Sequence, residues 1–375
     1  MRVNRIVETP NNPLDGFHNF LSVWWDKYGL EALLAPVESP ENNASARVIT
    51  DPAELVMVNP FAPLMKINSA RFAMDFIREH QGAQLGIIMR PCELRAFIEL
   101  GKRYRTSTCV ALSIGGAPYA QDQAVVSPFV NRPPVAVISL DCLGTYTMDE
   151  YQRRVAAHDS VSVTAELLQH IADGGLRAFH FRTACQMCDW PAPNGADITI
   201  GLLGIPNGEY FLVIARDEET DTRLKLSSVA PKLATESQVS HRETVVEAVA
   251  DTRAGVRRKL MEEMQSTCRF GDLSYILAWL ANCSLCGECL KACPLFESPN
   301  DHSPGSTSSE GRSVLTELVK LSRWLAVCVG CGMCAEACPG HVPLTLLISG
   351  LGHRIREEIH YCAGDPAQRL PWLDR

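Results

Sequence analysis

The chain has 375 residues, enough for two or three domains, and is 46% hydrophobic and 21% charged, the balance of a soluble globular protein. A net charge of −8 argues against nucleic acid or an anionic membrane as partner, and no apolar run approaches the roughly 18 residues of a membrane span. The N-terminus, MRVNRIVETPNNPLDG, lacks a signal-peptide core; a cytoplasmic location is expected, where 15 cysteines point to metal rather than disulfides.

In chain order, FHNFLSVWWDKYGL predicts a helix with Trp24, Trp25 and Tyr28 on its apolar side. Lys66, in PLMKINSARFAMDF, stands just before a second helical pattern. Three later segments share one design. LGIIM (85–89) leads to Arg90-Pro91-Cys92, VAVISL (135–140) to Asp141-Cys142, and AFHFRTA (178–184) to Cys185-Gln186-Met187-Cys188. Each reads as a buried strand that delivers cysteine at its carboxyl end, where open α/β sheets bind ligands. Cys92, Cys142, Cys185 and Cys188 together suit one four-cysteine cluster. The plainer alternative is unrelated buried thiols plus a stray C-x2-C.

No GxGxxG follows a strand. GLLGIPNG (201–208) is read as a hairpin turn at Asn207-Gly208 before YFLVIARD. Lys66, Arg90 and Arg182 are candidates to meet a pyrophosphate or a flavin edge, with surface or salt-bridge roles as the alternative. RDEETDTRLK reads as a solvated turn. HRETVVEAVADTRAGVRRKLMEEMQSTC (241–268) reads as a connecting helix with Val245, Val249, Val256, Leu260 and Met264 near one face.

The strongest signal is CSLCGECLKACP at 283–294, echoed by CVGCGMCAEACP at 328–339. Both read C-x2-C-x2-C-x3-C-P, in which three thiolates wrap one cubane and the fourth ligates the other centre. On that rule Cys283, Cys286, Cys289 and Cys338 hold one [4Fe–4S] cluster, and Cys328, Cys331, Cys334 and Cys293 hold the other. Gly287 and Gly332 let each loop curl closely. Structural zinc is the alternative, but it usually takes two separated CxxC pairs. The intervening 34 residues include a polar loop, ESPNDHSPGSTSSEGR, and a helical pattern with Val314, Leu315, Leu318, Leu321 and Leu325 at three- and four-residue steps. FGDLSYILAWLANC and VPLTLLISGLGHRIREEIHYC are flanking helices. Cys109, Cys268 and Cys362 stand alone, His180 reads as a core histidine, and no nucleophile–base pair is visible, so no catalytic residue is assigned.

The region 265–360 resembles the α-helical ferredoxin domain of heterodisulfide reductase and fumarate reductase subunits. MRPCELRAFIEL, SLDCLGTY and FRTACQMCDWPAPNGADITIGLLG resemble the β subunits of deazaflavin-reducing hydrogenase and formate dehydrogenase, over about residues 50–220. That resemblance implies FAD, a third [4Fe–4S] cluster and, for the methanogen enzymes, hydride exchange with coenzyme F420. It further implies an α/β (α+β) flavin and iron–sulfur domain at 1–240, a connecting helix at 241–268, and an all-α dicluster ferredoxin domain at 269–375. The expected partners are a catalytic formate dehydrogenase or hydrogenase subunit, or heterodisulfide-reductase-like subunits, and a soluble carrier: coenzyme F420, a nicotinamide, ferredoxin or another protein. A flavin-free three-cluster linker is the competing reading. A redox sensor is a third, against which the paired clusters argue.

Overall fold

The computed structural model describes residues 2–9, 12–39, 43–107, 135–172, 174, 180–206, 209–267, 280–296 and 314–372. The Asn207-Gly208 turn, the polar loop after Cys293, most of FGDLSYILAWLANC, Cys109 and Cys268 lie outside these residues.

Eight strands form one mixed sheet: β1 (Val3–Glu8), β2 (Ala32–Ser39), β3 (Asn43–Ile49), β4 (Leu85–Met89), β5 (Ala136–Leu140), β6 (Ile198–Gly201), β7 (Tyr210–Ala215) and β8 (Lys232–Leu233). Their spatial order is β3-β2-β4-β5-β6-β7-β1-β8. The centre, β2-β4-β5-β6, is parallel, and both flanks are antiparallel. All five residues of β4 and of β5 are buried, as expected of parallel strands covered on both faces.

The helices are α1 (Pro13–Tyr28), α2 (Ala70–Glu79), α3 (Pro91–Ser107), α4 (Met148–Ala157), α5 (Ser160–Leu168), α6 (Thr183–Gln186), α7 (Glu218–Arg223), α8 (Leu226–Val229), α9 (Glu236–Thr267), α10 (Glu288–Lys291), α11 (Val314–Ala326), α12 (Met333–Glu336) and α13 (Leu344–Glu358). Asn12 caps α1 through its side chain, Pro13 opens it and Gly29 closes it in the left-handed region. Phe17, Trp24 and Tyr28 then bury one face of α1 in the core on one side of the sheet. The other side is covered by α2 and α3, and its core runs on without a break into Val327, Val329, Tyr361 and Ala363 of the C-terminal part. The architecture is α/β at the front and helical at the back.

Two sequence readings are corrected. AFHFRTA is not a strand where it is described: residues 180–182 belong to no strand, and α6 begins at Thr183. Phe181 instead packs against the Tyr146 ring, with centroids 5.1 Å apart, and the strand beside β5 is β6, beyond both cysteines. RDEETDTRLK is not a solvated turn. It folds as α7, capped by Asp217, because its charges are paired inward: Asp221 meets buried Arg5 at 2.6 Å, and Arg216 and Arg223 meet buried Asp197 at 2.8 and 3.1 Å.

Candidate metal centres

β4 and β5 run in parallel register, Met89 beside Ser139, so their carboxyl ends deliver Cys92 and Cys142 side by side. The RPCE segment is built for that turn. Pro91 opens α3, and Glu93 accepts from the backbone N–H of Arg90 at 2.9 Å and of Ser69 at 3.1 Å, closing the first turn as a capping box does. On the neighbouring strand Asp141 is fully buried. Its carboxylate accepts from the N–H groups of Leu202 and Leu203 at 2.8 and 3.1 Å and from Arg242 Nε at 2.9 Å. Cys142 donates its N–H to Pro191 at 2.6 Å, and Arg253 Nη2 reaches the Cys142 carbonyl at 3.2 Å. Arg182 donates its N–H to Thr145 at 2.9 Å and so starts α6, which carries Cys185; Cys188 follows in the turn beyond.

These four cysteines come together. Cys92 is within electrostatic reach of Cys142 and Cys188, and Cys142 of Cys185 and Cys188. Burial pushes the Cys92 thiol far up, and burial with Cys185 nearby pushes Cys142 up to about 11. Burial also acts against ionisation of Cys185, but the Arg182 guanidinium and the Thr145 hydroxyl outweigh it and hold that thiol below its ordinary value. Thr145 Oγ1 lies 3.3 Å and Arg182 Nη2 3.6 Å from Cys185 Sγ. A bound metal centre would supply the positive charge that lets such thiols ionise.

The two C-terminal runs lie close together. A cavity of about 180 Å³ is lined by Cys283, Cys286, Cys289 and Cys338. Cys328, Cys331 and Cys334 each lie within electrostatic reach of Cys293. Cys293 is drawn over by the front of the molecule: Arg71 Nε donates to the Pro294 carbonyl at 2.8 Å and Arg103 Nη1 to the Leu295 carbonyl at 2.7 Å. Trp324 Nε1, on α11, donates to Cys293 Sγ at 3.2 Å. Gly287 and Gly332 hold φ of 76° and 73° and open α10 and α12, conformations costly for any residue with a Cβ.

The second C-terminal set also touches the strand-end set. Cys92 senses Cys331, Arg182 lies near both Cys185 and Cys331, and a Cβ on Gly332 would collide with Ala184 of α6. All three sets consist of sulfur alone, the donor chemistry of iron–sulfur clusters. Among the described residues, no three His, Cys, Asp or Glu side chains converge on a site for a single metal ion.

Two of the flavin candidates, Arg90 and Arg182, border the strand-end cysteines. Lys66 is exposed. Arg90 is buried with Nη2 on the carbonyls of Ala62 and Leu64 at 2.6 and 2.9 Å. Arg182 is buried against Cys185, and among the described residues its Nε and Nη1 have no hydrogen-bond partner. Sequence reasoning missed Asp141, Thr145, Arg253 and Trp324 as groups that position the cysteines. Only Asp141 had a local signal, its place next to Cys142.

A sheet that gathers cysteines at adjacent strand ends, beside a helical dicluster unit, defines an electron-transferring iron–sulfur protein. Comparison with known proteins narrows this. Residues 279–342 match the 4Fe-4S dicluster domain family. The chain is 23% identical to the F420-dependent formate dehydrogenase 1 subunit beta of Methanococcus maripaludis, over 58% of this chain and 56% of that protein, so the match spans little more than half the relative. Among solved structures it aligns with the xenon-derivatised F420-reducing [NiFe] hydrogenase complex from Methanosarcina barkeri, at 13% identity and a TM-score of 0.45, covering 72% of this chain and 93% of that one. The chain is thus similar to that formate dehydrogenase subunit and carries a match to a dicluster domain towards its C-terminal end. No helix among the described residues is long and apolar enough to cross a membrane.

Proposed function

We propose that the chain is the electron-transferring iron–sulfur β subunit of a cytoplasmic formate dehydrogenase or related hydrogenase. It would work beside a catalytic subunit and serve a soluble carrier such as coenzyme F420. The observation that carries this reading is the contact between cysteine sets: Cys331 beside Cys92, Gly332 against Ala184, and Cys293 crossing into the Cys328 set.

In this reading Cys92, Cys142, Cys185 and Cys188 hold one cluster. Cys283, Cys286, Cys289 and Cys338 hold a second, and Cys328, Cys331, Cys334 and Cys293 a third. When bound, such clusters supply one-electron relay chemistry, which a flavin joins to two-electron hydride exchange. The protein's own part is to hold and tune. Thr145, Arg182 and Trp324 place N–H and O–H groups on ligand sulfurs, an arrangement that orients ligands and adjusts potential. Phe181, Tyr146 and Leu143 are buried in the core against which Cys185 packs. FAD enters through the resemblance. The flavin-free linker is the second reading, favoured by Arg90, whose Nη2 is taken by the Ala62 and Leu64 carbonyls.

Iron and acid-released flavin per chain, after anaerobic purification, test the proposal. About 12 iron atoms are expected from three cubanes, falling to about eight in Cys92→Ser. About eight in the unaltered chain overturns the strand-end cluster. Flavin content separates the β subunit from the linker.

A further inference from the structure

The chain carries the same loop twice, and only one copy has its outer face covered. Residues 283–294 and 328–339 match position by position, and Gly287 and Gly332 open α10 and α12 with φ of 76° and 73°. In the second loop Val329, Gly332 and Met333 are buried, and Ala184 of α6 sits where a Gly332 Cβ would stand. α6 also carries Cys185, so this contact seats one cysteine set against the next. In the first loop Ser284 and Glu288, at the places of Val329 and Met333, are exposed. A Cβ on Gly287 would meet nothing within 4 Å among the described residues.

The bare face is apolar, and its charges are paired. Leu285 is 90% exposed with φ of 56°, where the second loop has Gly330. A leucine in that conformation strains its backbone, and at that exposure it buries almost nothing within this chain. Leu280, whose carbonyl accepts from the Cys283 N–H at 2.8 Å, is exposed at the start of the loop. Glu288 and Lys291 meet each other at 2.7 Å. The turn that covers the second loop has a matching character. Thr183-Ala184-Cys185-Gln186 is uncharged and puts a small residue at the contact. A second copy of the chain cannot supply that turn, because its α6 is already covered by its own Gly332.

We propose that the face formed by Ser284, Leu285 and Gly287 docks a different polypeptide that carries its own iron–sulfur centre. The partner presents an uncharged, small-residue turn next to one of that centre's cysteines. This turn lies on Gly287 as α6 lies on Gly332, and Leu285 enters an apolar pocket beside it. The partner's redox character rests on the function proposed above; the docking face does not.

The test uses the full chain, tagged and purified anaerobically with its partners from the cells that make it, with iron measured in every preparation. Ser284, outside the cysteine set, is replaced by a photoactivatable benzophenone amino acid, and the cross-linked peptides are identified by mass spectrometry. The expected cross-link joins this loop to another polypeptide, within a few residues of a cysteine in C-x2-C spacing. Leu285→Asp should weaken the association about tenfold or more, the worth of one buried leucine, read from cross-link yield across a dilution series. Leu285→Gly, which suits the loop's backbone, should weaken it as well. Val56→Asp, at a 70% exposed site of the front part, should leave it unchanged, and iron should be the same in all three. Cross-links only within the chain, to a second copy, or to a segment without cysteines overturn the inference. So does an association that both Leu285 variants leave intact, or that Val56→Asp weakens equally. The proposed function fails separately. Few iron atoms with the expected cross-link would remove the relay and keep the face, whereas about 12 iron atoms with cross-links elsewhere would keep the relay and remove the face.

Discussion

Arg182 shows how much one side chain can decide. It is 3% exposed, and among the described residues its Nε and Nη1 lack hydrogen-bond partners. Leaving such donors buried ordinarily costs free energy, so the charge must be held by something other than hydrogen bonds. Its neighbours supply the reason: Cys185, Cys92 and Glu336 are all close enough to favour the cation. A cation there stabilises the more negative, reduced state of whatever the thiolates hold. Arg182→Gln should therefore make the strand-end centre harder to reduce, by about 60 mV or more if one charged contact is lost, with Arg182→Lys intermediate and iron content retained. A redox titration followed by electron paramagnetic resonance measures it. A potential unmoved by both variants would mean that Arg182 only fills space. Asp141 makes the complementary case, a buried anion fully engaged by Arg242 and two backbone N–H groups. Removing the partner in Arg242→Met leaves an uncompensated buried charge, for which about 3–5 kcal/mol of destabilisation is expected. Denaturant unfolding should show that loss, and Asp141→Asn in the same chain should recover part of it.

At the scale of elements, the two cysteine runs are the same loop under different constraints. Gly287 has nothing within 4 Å of an added Cβ, whereas one on Gly332 meets Ala184. Gly287→Ala should cost only the left-handed backbone strain, about 1–2 kcal/mol. Gly332→Ala carries that strain plus an overpacking cost of about 1–3 kcal/mol, and should push the second loop off α6. Thermal unfolding of the two variants gives the difference, and equal losses would argue against close contact between the loops. One position departs from the repeat. Leu285, with φ of 56° and 90% exposure, stands where the second run has Gly330, with φ of 68°. Leu285→Gly should relieve strain for a net gain below about 1 kcal/mol, because glycine's extra freedom in the unfolded chain offsets part of it. The cysteine spacing, the two glycines and strands β4 and β5 were legible in the sequence, since each is set by local pattern or by a ligand rule. The strand expected before Cys185 was not. Aromatic residues in AFHFRTA signal strand by composition, but Phe181 finds its partner in Tyr146, 35 positions away, and no periodicity reports that.

At the scale of the molecule, what the sequence hid is how the front and back meet. Arg95, Arg103, Glu99 and Lys102 lie along α3 just after Cys92 and read as an ordinary charged helix. In the fold Arg95 binds the Val329 and Ala363 carbonyls, Arg103 the Leu295 carbonyl, and Glu99 accepts from Tyr361 Oη at 2.8 Å while Lys102 donates to the same hydroxyl at 2.8 Å. One helix thus anchors the strand-end set and both C-terminal loops, which makes their spacing a property of rigid structure rather than of a linker. The same arrangement grades exposure. Cys283 and Cys286 are exposed, while Cys92, Cys142, Cys185, Cys188 and the Cys328 set lie deeper. A centre on Cys283, Cys286, Cys289 and Cys338 should therefore be the first reached by a partner and the first lost to oxygen or a chelator. Iron release into a chelator should be biphasic, with about four of about 12 irons leaving early. Cys286→Ser should abolish the early phase and leave the late one at its original rate, because the buried sets are held from the other side by α3. Cys142→Ser should remove about four irons from the late phase instead. Release in a single phase from the unaltered chain would mean that the three sets open together, and that α3 does not hold the inner two apart from the surface.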